Sequence, residues 1–504
     1  MSSNAQKLAK GSFLRMASFF LSIIVIFFMM PFIIHSLGDK MYGFWVFVGS
    51  FLGFYGILDF GLLSAVQRYV SRAIGTDDHD EVNLIVNSAL FVFSLFGLLV
   101  LIISGVIAIV VPMFVKNITD VALFRTIILI LGTNFAIGFP MRAIAGLLTS
   151  QLRFDLRSYI DLTKLFLQTL LVIVFLKTGY GVLALAIITF TVNCVTHIMT
   201  FVCAKMISKN VVISRKFINK SKIKALFNYS RFSFIAQIAD QLRFNIDYFV
   251  ITAFLGLSYV TVYSIASRLI RYFGDFMIEA VGFMTPVFSQ YEAKGDYESI
   301  REKFMFMTKI SGYLTFFIGG SMIIFGHAFI RRWVGSEYAE AYPLLIVLVV
   351  PTIFALMQAP SIQLMFGISK HKYFAISNSI EGVANLILSL ILVKKFGVMG
   401  VALGTAIPMM IIKLFVQPVF VCRSIKLSVF KYYFVIVVPI LLKSFVVLFF
   451  FWIYIRNIID PNYMKILTLV ICTFIYFVVV IFIIGFKSNE KKIFMKVLSK
   501  NKKR

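Results

Sequence analysis

The sequence predicts an all-α integral membrane protein with about fourteen transmembrane helices. Of its 504 residues, 60% are hydrophobic and only 14% are charged, whereas soluble proteins carry about a quarter charged residues. Apolar stretches of about 20 residues, long enough to cross a bilayer, recur along the chain, separated by short segments with glycine, proline or charge. This composition excludes a soluble multidomain protein.

The apolar stretches form two sets of six and a final pair. The predicted helices of the first set begin near Phe13, Tyr42, Asn83, Ala122, Leu156 and Val182; those of the second near Phe232, Ser258, Phe304, Tyr342, Tyr373 and Val398; and the last two near Tyr432 and Met464. We therefore expect an N-terminal lobe at 1–215, a C-terminal lobe at 216–424, and a helix pair with a basic tail at 425–504. No connecting segment is long enough for a folded extramembrane domain.

Short matches at a nearly constant offset indicate an internal repeat. The matched positions, which follow predicted helices, are Gly38 with Gly256 and Gly179 with Gly397, both 218 residues apart, and Gly75 with Gly295, 220 apart. Such a repeat predicts two homologous six-helix lobes, related by a pseudo-two-fold axis along the membrane normal and enclosing a central cavity. The small-residue motifs Gly49-x-x-x-Gly53 and Gly400-x-x-x-Gly404 predict close helix packing.

The excess of positive charge predicts the orientation of the chain. The net charge is +27, from 49 Lys and Arg against 22 Asp and Glu. With a cytoplasmic N terminus, 31 of these cations fall in inner loops and tails and 10 in outer loops, which predicts both termini in the cytoplasm and contact with anionic membrane lipids. A nucleic-acid partner is excluded because the sequence contains neither a phosphate-binding loop nor a basic-aromatic RNA motif.

The cysteines and histidines suggest neither a metal site nor a catalytic centre. The four cysteines lie in apolar stretches without a Cys-x-x-Cys pair, and the five histidines are scattered. The sequence thus predicts no cofactor.

Basic residues inside predicted helices are candidate binding residues, because burying a charge in lipid is costly unless it faces a cavity. Arg243 and Arg268 are the strongest candidates, since each lies about 10 residues into its helix, near ~15 Å depth. The other basic candidates are Arg271, Lys413, Arg142, Lys164 and Lys309. For the last three, which lie near the cytoplasmic face, extension of the side chain to the interface is an equally good interpretation.

Acidic residues accompany the arginines at helical spacing. The two stripes are Asp240, Arg243 and Asp247 in the seventh predicted helix, and Arg268, Arg271, Asp275 and Glu279 in the eighth. Each is either a self-neutralised stripe packed against another helix or the lining of a cavity. The repeat favours the cavity, because at an offset of 218 the two arginines correspond to Val25 and Ser50.

Three other polar residues in or beside the seventh predicted helix suit the binding of a sugar. Gln241, Asn245 and Tyr248 carry the amide and aromatic groups that a glycan requires.

Three further acids lie on the cytoplasmic side of their predicted helices. Asp59, Asp161 and Glu381 either couple H⁺ or Na⁺ to transport or form salt bridges with basic residues such as Arg142 or Lys164. The sequence leaves both interpretations open.

Several short motifs resemble a known family. They are Leu37-Gly38, Tyr42-Gly43, Trp45, the segment 58–62 (LDFGL), Arg68-Tyr69 and the acidic loop 77–80 (DDHD). Together with the 6+6+2 layout, they resemble Wzx-type O-antigen and polysaccharide flippases of the multidrug/oligosaccharidyl-lipid/polysaccharide (MOP) exporter superfamily. Lipid II flippases of that superfamily carry an arginine well within the first helix, whereas Arg15 stands near its start.

The resemblance implies a substrate and a location. The substrate would be an undecaprenyl-pyrophosphate-linked oligosaccharide, such as an O-antigen unit for lipopolysaccharide, moved outward across the bacterial inner membrane by alternating access. A polysaccharide polymerase and chain-length proteins are the implied partners. Arginine side chains suit a pyrophosphate because they can donate two hydrogen bonds to it at once.

Two other functions compete with this interpretation. A drug or cation antiporter of the same superfamily (MATE-like) would carry an acidic cavity, whereas the predicted helices here carry seven or eight basic residues. A membrane-embedded glycan polymerase or ligase would need a large outer catalytic loop, and the largest is only about a dozen residues long. The sequence therefore favours a transporter over an enzyme.

Overall fold

The described chain is helical and divides into two compact units. The computed structural model describes residues 3–486 apart from 115–120, 152, 209, 283, 369, 371 and 458–461, together with 488, 490 and 491. The units are Met1–Thr261 and Val262–Arg504. The predicted boundaries at 215 and 424 and the predicted central cavity stay predictions.

Among the described residues, nine helices lie wholly in the first unit. They are α1 (Ser3–Leu37), α2 (Asp39–Tyr55), α3 (Leu62–Gly75), α4 (His79–Phe114), α5 (Val121–Ser150), α6 (Phe154–Lys177), α7 (Val182–Ile207), α8 (Lys220–Phe244) and α9 (Ile246–Phe254). Short 3₁₀ turns at Gly56–Asp59 and Arg215–Phe217 connect α2 to α3 and precede α8. The core of this unit lies where α3, α4 and α5 pack together around Val66, Val86, Phe93 and Phe139.

The tenth helix, α10 (Leu257–Val281), continues into the second unit. The helices that follow are α11 (Met284–Ala293), α12 (Tyr297–Trp333), α13 (Ala341–Met357), α14 (Ala359–Gly367), α15 (Lys372–Ile411), α16 (Gln417–Ser424), α17 (Val429–Tyr432), α18 (Val438–Ile455) and α19 (Tyr463–Gly485). Between these lie a 3₁₀ turn at Ser336–Tyr338 and two π-helical stretches, Ile412–Val416 and Tyr433–Val437. The core of this unit surrounds Phe288, Phe304 and Tyr432.

Eleven helical segments of the described residues are long and apolar enough to cross a membrane. One of them, Lys372–Ser424, contains 53 residues, about 80 Å of helix and more than twice the thickness of a bilayer core. Gly397, with φ 57° and ψ −138°, breaks this segment in two. The helices α8 and α10 are not among these eleven segments. The structure thus confirms a polytopic all-α membrane fold, and the count of fourteen crossings stays a prediction.

The internal repeat is visible in the backbone conformation. Gly38 and Gly256 both have positive φ, 74° and 110°, and so do Gly179 and Gly397, 87° and 57°. Both pairs are 218 residues apart, as the sequence predicts. A positive φ favours glycine, because a Cβ there crowds the backbone.

The third predicted match is off by two residues. Gly295 (φ 68°) corresponds to Asp77 (φ 55°) rather than to Gly75, which restores an offset of 218. The carboxylates of Asp78 and Asp296, also 218 apart, accept hydrogen bonds from the backbone N–H of Glu81 (2.9 Å) and Ser299 (3.0 Å), and so cap α4 and α12. Equivalent helices in the two units therefore begin in the same way.

The two small-residue motifs differ in their packing. A Cβ at Gly400 would lie 2.2 Å from the carbonyl oxygen of Leu392, and one at Gly404 would lie 2.2 Å from Ser389 Oγ. The two halves of α15 therefore pack closely against each other, as predicted. Gly53 of the first motif faces the side chains of Gln241 in α8 and of Asn245, which lies between α8 and α9. Gly49 is exposed with no atom near its Cβ position, so a packing role for Gly49 is wrong.

Side chains of α4 hold the extended segment that follows α7. The amide oxygens of Asn83 and Asn87 accept hydrogen bonds from the backbone N–H groups of Val212 and Ser214, both at 2.9 Å. Asn87 Nδ2 donates back to the carbonyl of Val212 at 2.9 Å. We call this arrangement the asparagine clamp; it gives residues 212–214 the partners that a neighbouring β-strand would otherwise supply.

Candidate functional site

A cavity of about 250 Å³ lies inside the first unit, between α5, α6 and α7. Its polar lining comes from all three helices: Asn134, Arg142, Arg157, Lys164, Asn193, His197 and Thr200. We call it the cationic cavity. It contains two of the predicted binding residues, Arg142 and Lys164.

Helical spacing brings these side chains to one place. On α7, Asn193, His197 and Thr200 are at i, i+4 and i+7, and on α6 Arg157 and Lys164 are seven residues apart, so each set lies on one helix face. Gly138 of α5 faces α7, where a Cβ would lie 3.3 Å from Nε2 of His197. The missing side chain thus leaves room for the imidazole.

Arg142 is held in place from two sides. Its Nη1 lies 3.3 Å from Oδ2 of Asp59, and its guanidinium stacks over the ring of Phe139, 4.4 Å from the centroid. Asp59 is buried in the 3₁₀ turn after α2, at 8% exposure. The predicted salt bridge of Asp59 with Arg142 is therefore confirmed.

The two basic residues of α6 differ in their partners. Arg157 Nε donates to Oδ2 of Asp161 at 3.1 Å, one helical turn away. Lys164 feels the charge of Asp161, but within the described chain it forms no salt bridge of 4 Å or less. Arg157 and Lys164 both lie near enough to His197 to affect its charge. Three permanent cations thus face two carboxylates here, and Lys164 is the cation that no carboxylate neutralises at close range.

Two basic candidates of the second unit, Lys413 and Lys309, are in ion pairs. Lys413 Nζ lies 3.2 Å from Glu381 Oε2 and donates to Asn378 Oδ1 at 2.7 Å. The side chains of this pair are only 5% and 1% exposed. Lys309 Nζ donates to Glu490 at 2.8 Å. A buried pair of this kind presents little net charge to a substrate.

The remaining candidates lie on α8, α9 and α10. Asn245 Nδ2 donates to Gln241 Oε1, Tyr248 is half-buried and Asp247 is buried. The side chains of Arg243 and Asp240, like that of Arg15, lie outside the described residues, and so does the end of the basic tail at 492–504.

On α10, Arg268 is half-buried and Arg271 exposed, and both attract Asp275. Glu279 is exposed. Both arginines are therefore close enough to Asp275 to interact with its charge, and the two interpretations of this stripe stay predictions.

The cationic cavity belongs to one unit only. At the offset of 218, its basic residues Arg142, Arg157, Lys164 and His197 correspond to Pro360, Ala375, Gly382 and Phe415. None of these four can carry a positive charge. The cations are therefore additions to one copy of the repeat rather than part of the scaffold that both copies share.

The chain matches the family model described as polysaccharide biosynthesis protein over residues 40–343, three fifths of its length. It belongs to the polysaccharide biosynthesis protein family. The chain is 21% identical over 413 residues to the uncharacterized membrane protein EpsK of Bacillus subtilis, covering 81% of this chain and 82% of EpsK. It is 26% identical over 184 residues to the probable low-salt glycan biosynthesis flippase Agl15 of Haloferax volcanii, covering 36% and 39% of the two chains.

Solved structures show that this family member has the MOP superfamily fold. An inward-facing multidrug resistance MATE family transporter of that superfamily superposes with a TM-score of 0.69 at 15% identity, covering 80% of this chain and 94% of the other. The lipid II flippase MurJ, in an inward closed conformation, gives a TM-score of 0.66 at 17% identity, with 92% and 97% covered. The chain is thus a multi-pass membrane protein with the fold of the superfamily that its sequence motifs resemble.

Two residues that line the cationic cavity, Arg157 and His197, are not among those that the sequence predicts. Arg157 lies in the first turn of α6, outside the apolar part of the helix, and His197 is apparent only as an isolated histidine. A signal is nevertheless present, because Arg157, Asp161 and Lys164 are at i, i+4 and i+7. The stripes of the seventh and eighth predicted helices are identified by a similar helical spacing, i, i+3 and i+7.

Proposed function

We propose that the protein is a flippase that moves an undecaprenyl-pyrophosphate-linked oligosaccharide, the repeat unit of O-antigen or a related polysaccharide, from the cytoplasmic to the outer leaflet by alternating access. Family membership and a relative named as a glycan biosynthesis flippase support the class of function. The observation that carries the proposal is the cationic cavity, in which no carboxylate of the described residues forms a salt bridge with Lys164.

The chemistry of the cavity fits a pyrophosphate. A phosphate oxygen that leaves water needs charged donors to replace its hydrogen bonds, and Arg142 and Arg157 each carry several N–H groups while Lys164 supplies a point charge. The volume of about 250 Å³ equals that of about eight water molecules. This is room for a pyrophosphate and part of the first sugar, while Asn134, Asn193 and Thr200 offer polar groups to sugar hydroxyls.

A cation antiporter is the competing function. The fold does not separate the two, because the MATE transporter and MurJ superpose about equally well. Charge does separate them, since a cavity with more permanent cations than carboxylates repels a cationic drug. In the described residues Asp59 and Asp161 are both paired with arginines. We therefore propose that these two carboxylates position the arginines and that neither couples H⁺ or Na⁺ to transport. We propose no cofactor.

Location and partners follow from the same proposal. We propose that the protein resides in the bacterial inner membrane with both termini in the cytoplasm, and that a polysaccharide polymerase and chain-length proteins take over its product. Its role is transport rather than catalysis.

The test is binding of inorganic pyrophosphate to the full-length protein in lipid nanodiscs. We expect Lys164→Ala to weaken binding by about tenfold or more, because a hydrogen bond to a charged group contributes about 1.5–3 kcal/mol. Lys177→Ala is the matched control, since Lys177 is an exposed lysine in the last turn of the same helix. It should leave the affinity unchanged.

Two results would contradict the proposal. One is equal pyrophosphate affinity in the Lys164→Ala variant and the wild type. The other is tighter binding of tetraphenylphosphonium, a lipophilic cation, than of pyrophosphate by the wild type, which would favour the antiporter. Complementation of surface glycan in a deletion strain by Lys177→Ala but not by Lys164→Ala would link binding to export.

A further inference from the structure

A second cavity, of about 370 Å³, lies in the first unit and is built from the same two helices, α5 and α7. Ile144 and Leu147 line it from α5, and Phe201 and Ala204 from α7. We call it the apolar cavity. The cationic cavity ends at Ala145 and Thr200, which are direct chain neighbours of Ile144 and Phe201. The two cavities therefore follow each other along one helix pair, the apolar one nearer the end of α7.

The lining of the apolar cavity offers little to a polar ligand. Its polar residues are Lys205 and Ser208, and the hydroxyl of Ser208 already accepts a hydrogen bond from Gln151 Nε2 at 2.6 Å. Lys205 is exposed. The volume lies within the range of about 300–1,000 Å³ typical of small-molecule sites, whose linings are mostly apolar.

The wall opposite the helices is held in place. It consists of Val211, Val212 and Ile213. The asparagine clamp fixes this segment through two hydrogen bonds to the backbone of Val212 and one to the backbone N–H of Ser214, each at 2.9 Å. A site whose walls are already positioned loses little entropy when a ligand binds.

We propose that the apolar cavity binds the first isoprene units of a polyprenyl chain whose pyrophosphate occupies the cationic cavity. This inference rests on the proposed function and adds a place for the proximal part of the lipid tail within the protein. The order of the cavities matches an amphiphile with a doubly charged head and a branched apolar tail attached directly to it. A phospholipid differs because a polar glycerol backbone separates its phosphate from its acyl chains.

The test compares two probes with the full-length protein in nanodiscs: inorganic pyrophosphate and farnesyl pyrophosphate. We define the tail contribution as the affinity for farnesyl pyrophosphate divided by the affinity for inorganic pyrophosphate. Ala204→Phe fills the apolar cavity, and Val202→Phe adds the same ring at a position of α7 that is 47% exposed and outside the cavity lining. Because both variants are measured in the same lipid, partition of the farnesyl chain into the bilayer cancels.

We expect Ala204→Phe to reduce the tail contribution by about tenfold or more, since burial of two methylene groups already accounts for a factor of this size. Its affinity for inorganic pyrophosphate should stay that of the wild type, and Val202→Phe should change neither quantity. If the Ala204→Phe variant binds pyrophosphate as the wild type does and its tail contribution is also unchanged, the inference is overturned and the proposed function stays intact. Failure of the wild type to bind pyrophosphate would instead contradict the proposed function.

A second measurement does not depend on the folding of a variant. A prenyl pyrophosphate with a diazirine on its first isoprene unit should crosslink the wild type within 144–147 and 201–213, as mapped by mass spectrometry. Crosslinks confined to other segments would overturn the inference. The inference would also be overturned if phosphatidic acid reduced these crosslinks as much as unlabelled farnesyl pyrophosphate does at the same concentration. Such a result would identify a phospholipid as the occupant.

Discussion

Gly404 and Gly49 occupy similar sequence motifs but have different neighbours. Gly404 packs against Ser389 across the bend at Gly397, where a Cβ would lie 2.2 Å from Ser389 Oγ and 2.7 Å from its backbone nitrogen. Gly49 is an exposed helical residue with open space at its Cβ position. The same motif therefore has a packing role at one position and none at the other.

This difference predicts opposite effects of one substitution. Gly404→Ala should destabilise the protein by about 1–3 kcal/mol, because the backbone of Ser389 cannot move away as a flexible side chain could. Gly49→Ala should be neutral or stabilising by up to about 1 kcal/mol, because alanine is the better helix former. Thermal unfolding of the two variants in the same detergent measures both. An equal decrease in Tm would contradict the assignment.

Only some residues of the cationic cavity can be predicted from the sequence. The sequence identifies Arg142 and Lys164 as candidates but ranks Arg243 and Arg268 above them, because depth along a helix is its main measure of burial. Which helix faces meet depends on tertiary packing, so the cavity formed by α5, α6 and α7 is apparent only in three dimensions. His197 is part of the site because Gly138 lies opposite it, and one sequence does not reveal that pairing.

At the scale of secondary-structure elements, the segment after α7 has a role that its composition does not indicate. Its many lysines and arginines predict a cytoplasmic loop at the membrane surface. The structure adds that Asn83 and Asn87, only 5% and 4% exposed, fix this loop to α4. These asparagines are at i and i+4 near the start of a long apolar helix. Buried amides at such positions indicate a specific partner, here the backbone of 212–214.

The clamp predicts a local loss of protection from hydrogen exchange. Asn87→Leu keeps the approximate side-chain size but leaves the N–H of Ser214 and the carbonyl of Val212 without their partner. Each loss costs about 1–3 kcal/mol, so amide exchange at 212–214 should speed up about tenfold or more. Ser94→Ala is the control on the same helix, because Ser94 bonds only to the carbonyl of Leu90. Unchanged exchange in the Asn87→Leu variant would show that the clamp does not restrain the loop.

At the scale of the whole molecule, the two units share a backbone plan but not their charges. The left-handed positions Gly38, Asp77 and Gly179 recur 218 residues later as Gly256, Gly295 and Gly397. The sequence predicts this repeat because turn geometry restricts which residues are accepted. The first unit carries an open cationic cavity and the second a closed Lys413–Glu381 pair. The turns are thus shared by both units, whereas the cations of the cavity are carried by one.

Orientation in the membrane is also a property of the whole chain, and α12 offers a direct test of it. This helix crosses once between Gly295 and Gly335, with 37 residues between the turns that contain these glycines, so the two positions lie on opposite sides of the membrane. With a cytoplasmic N terminus, 31 of the 49 cations would fall in inner loops and tails, and for this orientation the positive-inside rule predicts that Gly295 is cytoplasmic. Alkaline phosphatase, which is active only outside the cytoplasm, should therefore be active when fused after Gly335 and inactive after Gly295, at equal expression measured by immunoblot. The reverse pattern would show that the chain has the opposite orientation in the membrane. The start of α6, where Arg157 of the cationic cavity lies, would then be outside the cytoplasm, which would contradict uptake of the substrate from the cytoplasm.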